Sequence, residues 1–137
     1  MSINFYFEDV EELQLDLPRT ISWIKETVSK EQKQTGEISF IFCGDEYLLD
    51  INKQYLDHDY YTDIITFDYV EDSVLSGDIF ISIDRVKENA SEFRVSFDDE
   101  LNRIMIHGVL HLAGYKDKAK DDKELMTSKE DYYLKEF

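Results

Sequence analysis

One cysteine, one proline and five glycines occur in 137 residues, and each scarcity excludes something. A single thiol cannot close an internal disulfide, so burial and hydrogen bonding must hold the fold. Cys43, in "SFIFCG", is expected to be buried and inert. No Pro- or Gly-rich stretch divides the chain and nothing is repeated, which points to one domain over residues 1–137. No apolar run approaches the ~20 residues that a spanning helix needs. The opening "MSINFYFEDV" lacks the basic start and long apolar core of an export signal. A cytoplasmic protein with no membrane partner is therefore expected. Basic residues are scarce too: 15 stand against 31 acidic ones, a net charge of −16 at pH 7. Because affinity for nucleic acid rests largely on Lys and Arg neutralising phosphates, this disfavours nonspecific nucleic-acid binding. Phosphate contact requires a local basic patch or a partner that supplies one.

What is present is a core. Hydrophobic residues make up 42% of the chain and aromatics 14%, enough for a folded globular domain. "INFYF" (3–7) reads as a strand, and "DLPRTISWIKETVSKEQKQ" (16–34) as a helix with Pro18 in its first turn and Leu17, Ile21, Ile24 and Val28 as its apolar stripe. "EISFIF" (37–42) is a second strand. "DEYLLDINKQYL" (45–56) is a helix that Asp45 can cap. "DHDYYTD" is a polar loop before the β-branched and aromatic strand "IITFDYV" (64–70). "EDSVLSG" turns the chain into "GDIFISI" (77–83), close enough to pair as a hairpin. Helices follow at 84–93, with Asp84 placed to cap, at 98–113, with Ser96 or Phe97 just outside, and within "DDKELMTSKEDYYLKEF". The expected fold is α/β (α+β): a small four-stranded mixed sheet packed with about five helices.

The chemistry concentrates in "HGVLHLAGYKDK" (107–118). Helical spacing of four puts His107 and His111 on one face with Cβ atoms ~5–6 Å apart, close enough to converge on one ion. Leu101, Ile104, Met105, Ile106, Val109, Leu110 and Leu112 leave this helix apolar on most sides. Buried imidazoles need partners, and a metal satisfies both. Gly108 weakens a helix, so it signals a close backbone approach. It also stands where a zinc peptidase's HExxH carries its general-base Glu, which disfavours a peptidase. Gly114 ends the helix and lets "YKDK" turn back across the histidine face, where a third ligand is to be sought.

"HGVLHLAGY" resembles the HGxLHLxGYDH signature of the YbeY family of bacterial rRNA-maturation endoribonucleases. The resemblance extends through "ELNRIMIHG", "SGDIFIS" and "LLDINKQYLDHDYYTDIITF", the last similar to that family's L-N-x-x-Y-R-x-x-D-x-P-T-x-V-L-S-F block. It implies a metal-dependent hydrolase that cleaves single-stranded RNA in rRNA maturation and ribosome quality control, with rRNA, a ribosomal particle or a ribosome-associated protein as partner. Position 117, where the family has its third histidine, is aspartate here. Carboxylate oxygen is an ordinary zinc ligand, so the implied site is His107, His111 and Asp117 around one divalent ion, with Zn2+ the expected metal and an open position for the water it activates. No separate base is identified. Leu56 stands where the family usually has Arg.

Lys53, Thr62, Asp63 and Arg85 are the expected RNA contacts, Lys53 and Arg85 through phosphate, and Thr62 and Asp63 because they match the block before the family's third strand, where a turn or strand-entry role is the equal alternative. Glu100 lies too far along the helix to reach His107 and reads as a helix N-terminal carboxylate. His58 is an alternative ligand. Tyr55, Tyr60, Tyr61, Phe67 and Tyr69 are able to stack on bases, with packing as their main expected role. A second function class, a ribosome-associated binding factor whose metal is structural, is favoured by Leu56 and by the −16 charge.

Overall fold

The computed structural model describes residues 2–137. Its elements are β1 (Ser2–Glu8), α1 (Leu17–Lys30), β2 (Gln34–Cys43), α2 (Asp45–Leu56), β3 (Ile64–Asp68), β4 (Val74–Ser82), α3 (Ile83–Phe93), α4 (Phe97–Leu112) and α5 (Lys120–Lys135). One four-stranded sheet runs in the order β1-β2-β4-β3. β2 lies parallel to both β1 and β4, while β3 pairs antiparallel with β4 as the hairpin that short separation predicts. The sheet is therefore mixed, as expected, with five helices around it.

Side-chain alternation along the strands assigns the two faces. Ile38, Phe40, Phe42, Ile79 and Ile81 face the main core, where α1, α4 and α5 contribute Trp23, Ile24, Met105, Val109 and Tyr133. Cys43 and Ile65 face the other way, against Leu48 of α2 and the half-buried Phe67 and Phe80. Burial pushes the Cys43 thiol up to about 12, so it is the inert thiol its surroundings predict. Helix α4 is the most buried helix surface of the core. Gly108 explains how close it comes: a Cβ there would lie 2.9 Å from Ile79 Cγ2 and 3.2 Å from Ile64 Cδ1. The close approach is thus to the sheet, and it seats the histidine turn against β3 and β4.

Several boundaries differ from the sequence-based reading, each for a local reason. α1 ends at Lys30 because Gln32 takes a left-handed φ of 60° and the chain enters β2 at Gln34. β3 stops at Asp68, whose Oδ1 accepts the Val70 N–H at 2.8 Å and turns the backbone. β4 begins at Val74, because Val74 and Leu75 still pair with Gln34 and Thr35. Ile83 opens α3. The caps are also exchanged: α3 is capped by Ser82, which accepts the Arg85 N–H at 3.2 Å, and Asp84 instead accepts the Asp45 N–H of α2 at 2.9 Å. Gly44 is the cap residue of α2, and the Asp45 carboxylate accepts from Ser82 Oγ and Arg85 Nε. Parallel pairing of β2 with β4 brings the N-termini of α2 and α3 side by side, so each helix takes a partner from the other. Among the described residues, no helix is long and apolar enough to cross a membrane.

Candidate metal centre

Helix α4 begins at Ser96, whose Oγ accepts the Asp99 N–H at 3.0 Å. At its other end Gly114 adopts φ +106°, its N–H donates to the His111 carbonyl, and the Tyr115 N–H donates to the Leu110 carbonyl, both at 3.0 Å. This pair of bonds is the reversal a helix makes when glycine follows its last residue. It returns residues 115–118 across the histidine face. His107 Nε2 and His111 Nε2 lie 2.9 Å apart, and Asp117 Oδ2 lies 3.2 Å from the first and 3.3 Å from the second. Ligands of a tetrahedral ion at ~2.0–2.2 Å stand about 3.3 Å apart, so the spacing suits one small divalent cation.

The outer ring nitrogens supply a second reason for a cation. His107 Nδ1 donates to Glu130 Oε2 at 2.6 Å, and His111 Nδ1 donates to the Tyr115 carbonyl at 3.0 Å. Both Nδ1 atoms face acceptors and so carry the hydrogens. In the neutral rings both Nε2 atoms then present lone pairs to each other and to a carboxylate oxygen. Three acceptors without a hydrogen between them repel unless a cation or a proton joins them. Orienting acceptors behind metal-binding imidazoles are the usual arrangement, since they set tautomer and ring direction.

Each orienting group is itself held. Glu130, 7% exposed, also accepts from Arg103 Nη1 at 2.8 Å, and Arg103 reaches Asp131 at 2.8 Å through Nη2. Tyr115 is anchored through its hydroxyl, which donates to Glu31 at the end of α1; Lys129 and the Tyr133 hydroxyl donate to the same carboxylate. Burial alone would raise the Glu31 pKa, but these three donors leave it lowered. Neither Glu130 nor Glu31 is visible from motif spacing. The one available clue is that Arg103 stands four residues before His107, on the same helix face, where a half-buried guanidinium needs an acid.

Burial disfavours a charged His107, yet the hydrogen bond and charge of Glu130, with Asp117 and Asp63, raise its pKa above the ordinary 6.5. The raised pKa favours a proton at His107 in the metal-free cluster, in the place a cation would take. Metal requires the deprotonated Nε2, so proton competition starts above pH 6.5 and strengthens as pH falls. Zinc affinity measured against a competing chelator from about pH 8 to pH 5 should fall throughout the acid half of that range. A flat profile would mean that His107 is not a ligand.

The cluster opens on a cleft of about 770 Å³, lined by Asn52, Leu56, His58, Thr62 and Asp63 from α2 and the segment between α2 and β3, and by Tyr115, Lys116, Asp117 and Lys118 from the segment after α4. Its size lies within the ~300–1,000 Å³ of ligand sites. Asp63 is part of it, with a pKa raised chiefly by burial. Thr62 lines it too, its hydroxyl donating to the Ile64 carbonyl at 3.4 Å. Lys53 and Arg85 are not brought here: Lys53 pairs with Asp59 at 3.5 Å, and Arg85 with Asp45 at 3.1 Å and with Glu88. The Lys side chains of the lining are Lys116 and Lys118, which flank Asp117. Among the described residues His58 joins no ligand cluster; its Nδ1 shares a hydrogen bond with the Tyr60 hydroxyl at 3.0 Å. Glu100 is not a solvated helix-end charge, because it is 5% exposed and burial raises its pKa. Tyr55, Tyr60, Tyr61 and Tyr69 are exposed, so the aromatic set is mostly surface, with Phe67 as its packed member.

Known proteins share this arrangement of chain and fold. The sequence profile of the family described as Endoribonuclease YbeY matches residues 6–137. A Flavobacterium psychrophilum protein named Endoribonuclease YbeY is 56% identical over 117 residues, covering 85% of this chain and 84% of the relative. One from Bacteroides thetaiotaomicron, of the same name, is 47% identical over 134 residues, 98% of each chain. A Thermotoga maritima protein solved in solution superposes with a TM-score of 0.71 at 29% identity, over 98% of this chain and 88% of its own.

Proposed function

Because the chain belongs to the YbeY family of metal-dependent endoribonucleases, we propose that it cleaves single-stranded RNA in rRNA maturation and ribosome quality control, with one zinc ion held by His107, His111 and Asp117. The observation that carries this reading is the convergence of Nε2, Nε2 and Oδ2 at the floor of an open cleft, with both Nδ1 atoms already engaged. A divalent ion bound there supplies Lewis-acid polarisation of a phosphoryl oxygen and lowers the pKa of water to about 7.

The remaining roles fall to the chain's own groups. Glu130 and the Tyr115 carbonyl keep the two imidazoles aimed and in one tautomer, so little reorganisation is needed when substrate arrives. Asp63, at the cleft wall, has a carboxyl whose pKa burial raises, which suits it to hold a proton and deliver it to the departing ribose oxygen. The hydrophobic helix beneath keeps water from approaching the cluster except through the cleft. A net charge of −16 repels free RNA at long range, so a ribosomal particle or a basic partner protein is the expected setting for efficient cleavage.

The test is direct. Purified protein carrying zinc should cut an unstructured RNA internally, lose that activity to a chelator and regain it with zinc. Intact RNA after incubation with fully metal-loaded protein, both as free strand and in ribosomal particles, would leave only a binding role.

A further inference from the structure

The cleft has two chemically different walls, and neither is explained by holding a metal. On one side stand Lys116 and Lys118, both exposed and in no ion pair among the described residues. Arg85, Arg103, Lys53 and Lys129 are each committed to a carboxylate elsewhere. With a divalent ion in place, its charge and those of the two lysines outnumber the three carboxylates of the lining, Asp63, Asp68 and Asp117. The cleft is then a local anion site within an acidic surface.

Another part of the lining is aromatic. His58 and Tyr60 stack with ring centroids 5.1 Å apart and planes 22° from parallel, and Tyr60 is 55% exposed. Leu56 lies beside them, 41% exposed. Two hydrogen bonds tie this surface loop to α2. Buried Asn52 donates from Nδ2 to the Tyr60 carbonyl at 2.9 Å, and its own carbonyl accepts the His58 N–H at 3.2 Å. A platform presented in advance loses less entropy when a flat ring settles on it.

We propose that this cleft is a two-sided subsite for single-stranded RNA, in which Lys116 and Lys118 hold backbone phosphates and the His58–Tyr60 stack receives an unpaired base. The subsite rests on the endoribonuclease reading and specifies how the substrate lies. Paired RNA is excluded by the same geometry, since a base in a duplex has no free face to offer the platform.

The experiment uses metal-loaded full-length protein and an unstructured RNA of about ten nucleotides, beside an abasic strand of the same length, read as stopped-flow anisotropy before turnover. Lys116→Gln with Lys118→Gln should weaken both probes and flatten the salt dependence of binding by about 1.4 in log–log slope, the share of two phosphate contacts on a single strand. Lys-to-Arg changes at both positions should retain the slope. Tyr60→Ala should weaken the RNA about tenfold or more, leave the abasic strand unaffected and leave the slope unchanged. Metal content, measured in each variant, controls for disturbance of Asp117. An unchanged slope in the double Gln variant, or equal effects of Tyr60→Ala on both probes, would overturn the subsite even if wild type cuts RNA. If wild type neither binds nor cuts RNA, as free strand or in ribosomal particles, the subsite and the endoribonuclease reading fall together.

Discussion

Replacing His111 by Ala should take the protein from one bound ion per chain to none and remove RNA cleavage with it, while the fold survives. Of the three proposed ligands, His111 is the one whose loss disturbs least else. Its side chain is 26% exposed, its Nδ1 serves only the Tyr115 carbonyl, and that carbonyl can turn to water. Alanine is also the better helix former at a position near the end of α4. Two remaining ligands cannot hold a cation against water as three do. Elemental analysis with circular dichroism melting checks both halves of the expectation. His107→Ala should lose the ion as well, at a greater cost to stability, because Glu130 would keep its charge with one partner fewer. Asp117→His should retain zinc, since imidazole nitrogen is as good a ligand as carboxylate oxygen. Full metal content in both histidine variants would eliminate the site.

Glu130 is where a change outside the ligand set should matter most. Its carboxylate accepts from His107 on one oxygen and from Arg103 on the other. Glu130→Gln preserves the shape but not the role, since an amide has one acceptor and would turn its NH2 toward one of two donors. Zinc affinity should fall about 10- to 100-fold, the usual cost of losing an orienting partner behind a metal-binding imidazole. The thermal midpoint should drop by about 5 °C or more, on the basis of about 1–3 kcal/mol for a buried donor left unsatisfied. Arg103 keeps Asp131, and at 33% exposure its guanidinium reaches water, which holds the loss to that range. A second signature separates aiming from mere stability: without the Glu130 charge, the His107 pKa should fall toward its ordinary value, and proton competition for the metal site should begin at a lower pH. An unaltered zinc affinity and pH profile in Glu130→Gln would show that the carboxylate does not act through His107.

Much of this was readable along the chain, and the reason is periodicity. The spacing of His107 and His111, the apolar residues around them and Gly114 after them define a buried helix that presents two imidazoles and then reverses. Asp117 follows from its place in the signature that the chain resembles. The alternating strands and the short gap between β3 and β4 likewise give a mixed sheet with a hairpin. Such patterns record which face of an element is apolar, because burial acts on each side chain through its own position in the turn or pleat. They carry no record of which polar groups meet across elements. Glu130 reaches His107 from 23 residues away, Asp84 caps α2 while Ser82 caps α3, and Arg85 is absorbed by Asp45 and Glu88. Lys116 and Lys118 join the lining of the cleft because the Gly114 reversal returns this segment across the histidine face. A long polar side chain can satisfy itself with many partners or with water, so its sequence context leaves the choice open. The parallel pairing of β2 with β4 and the docking of α5 on α4 make that choice, by fixing which donors and acceptors lie within reach once the apolar faces have been buried.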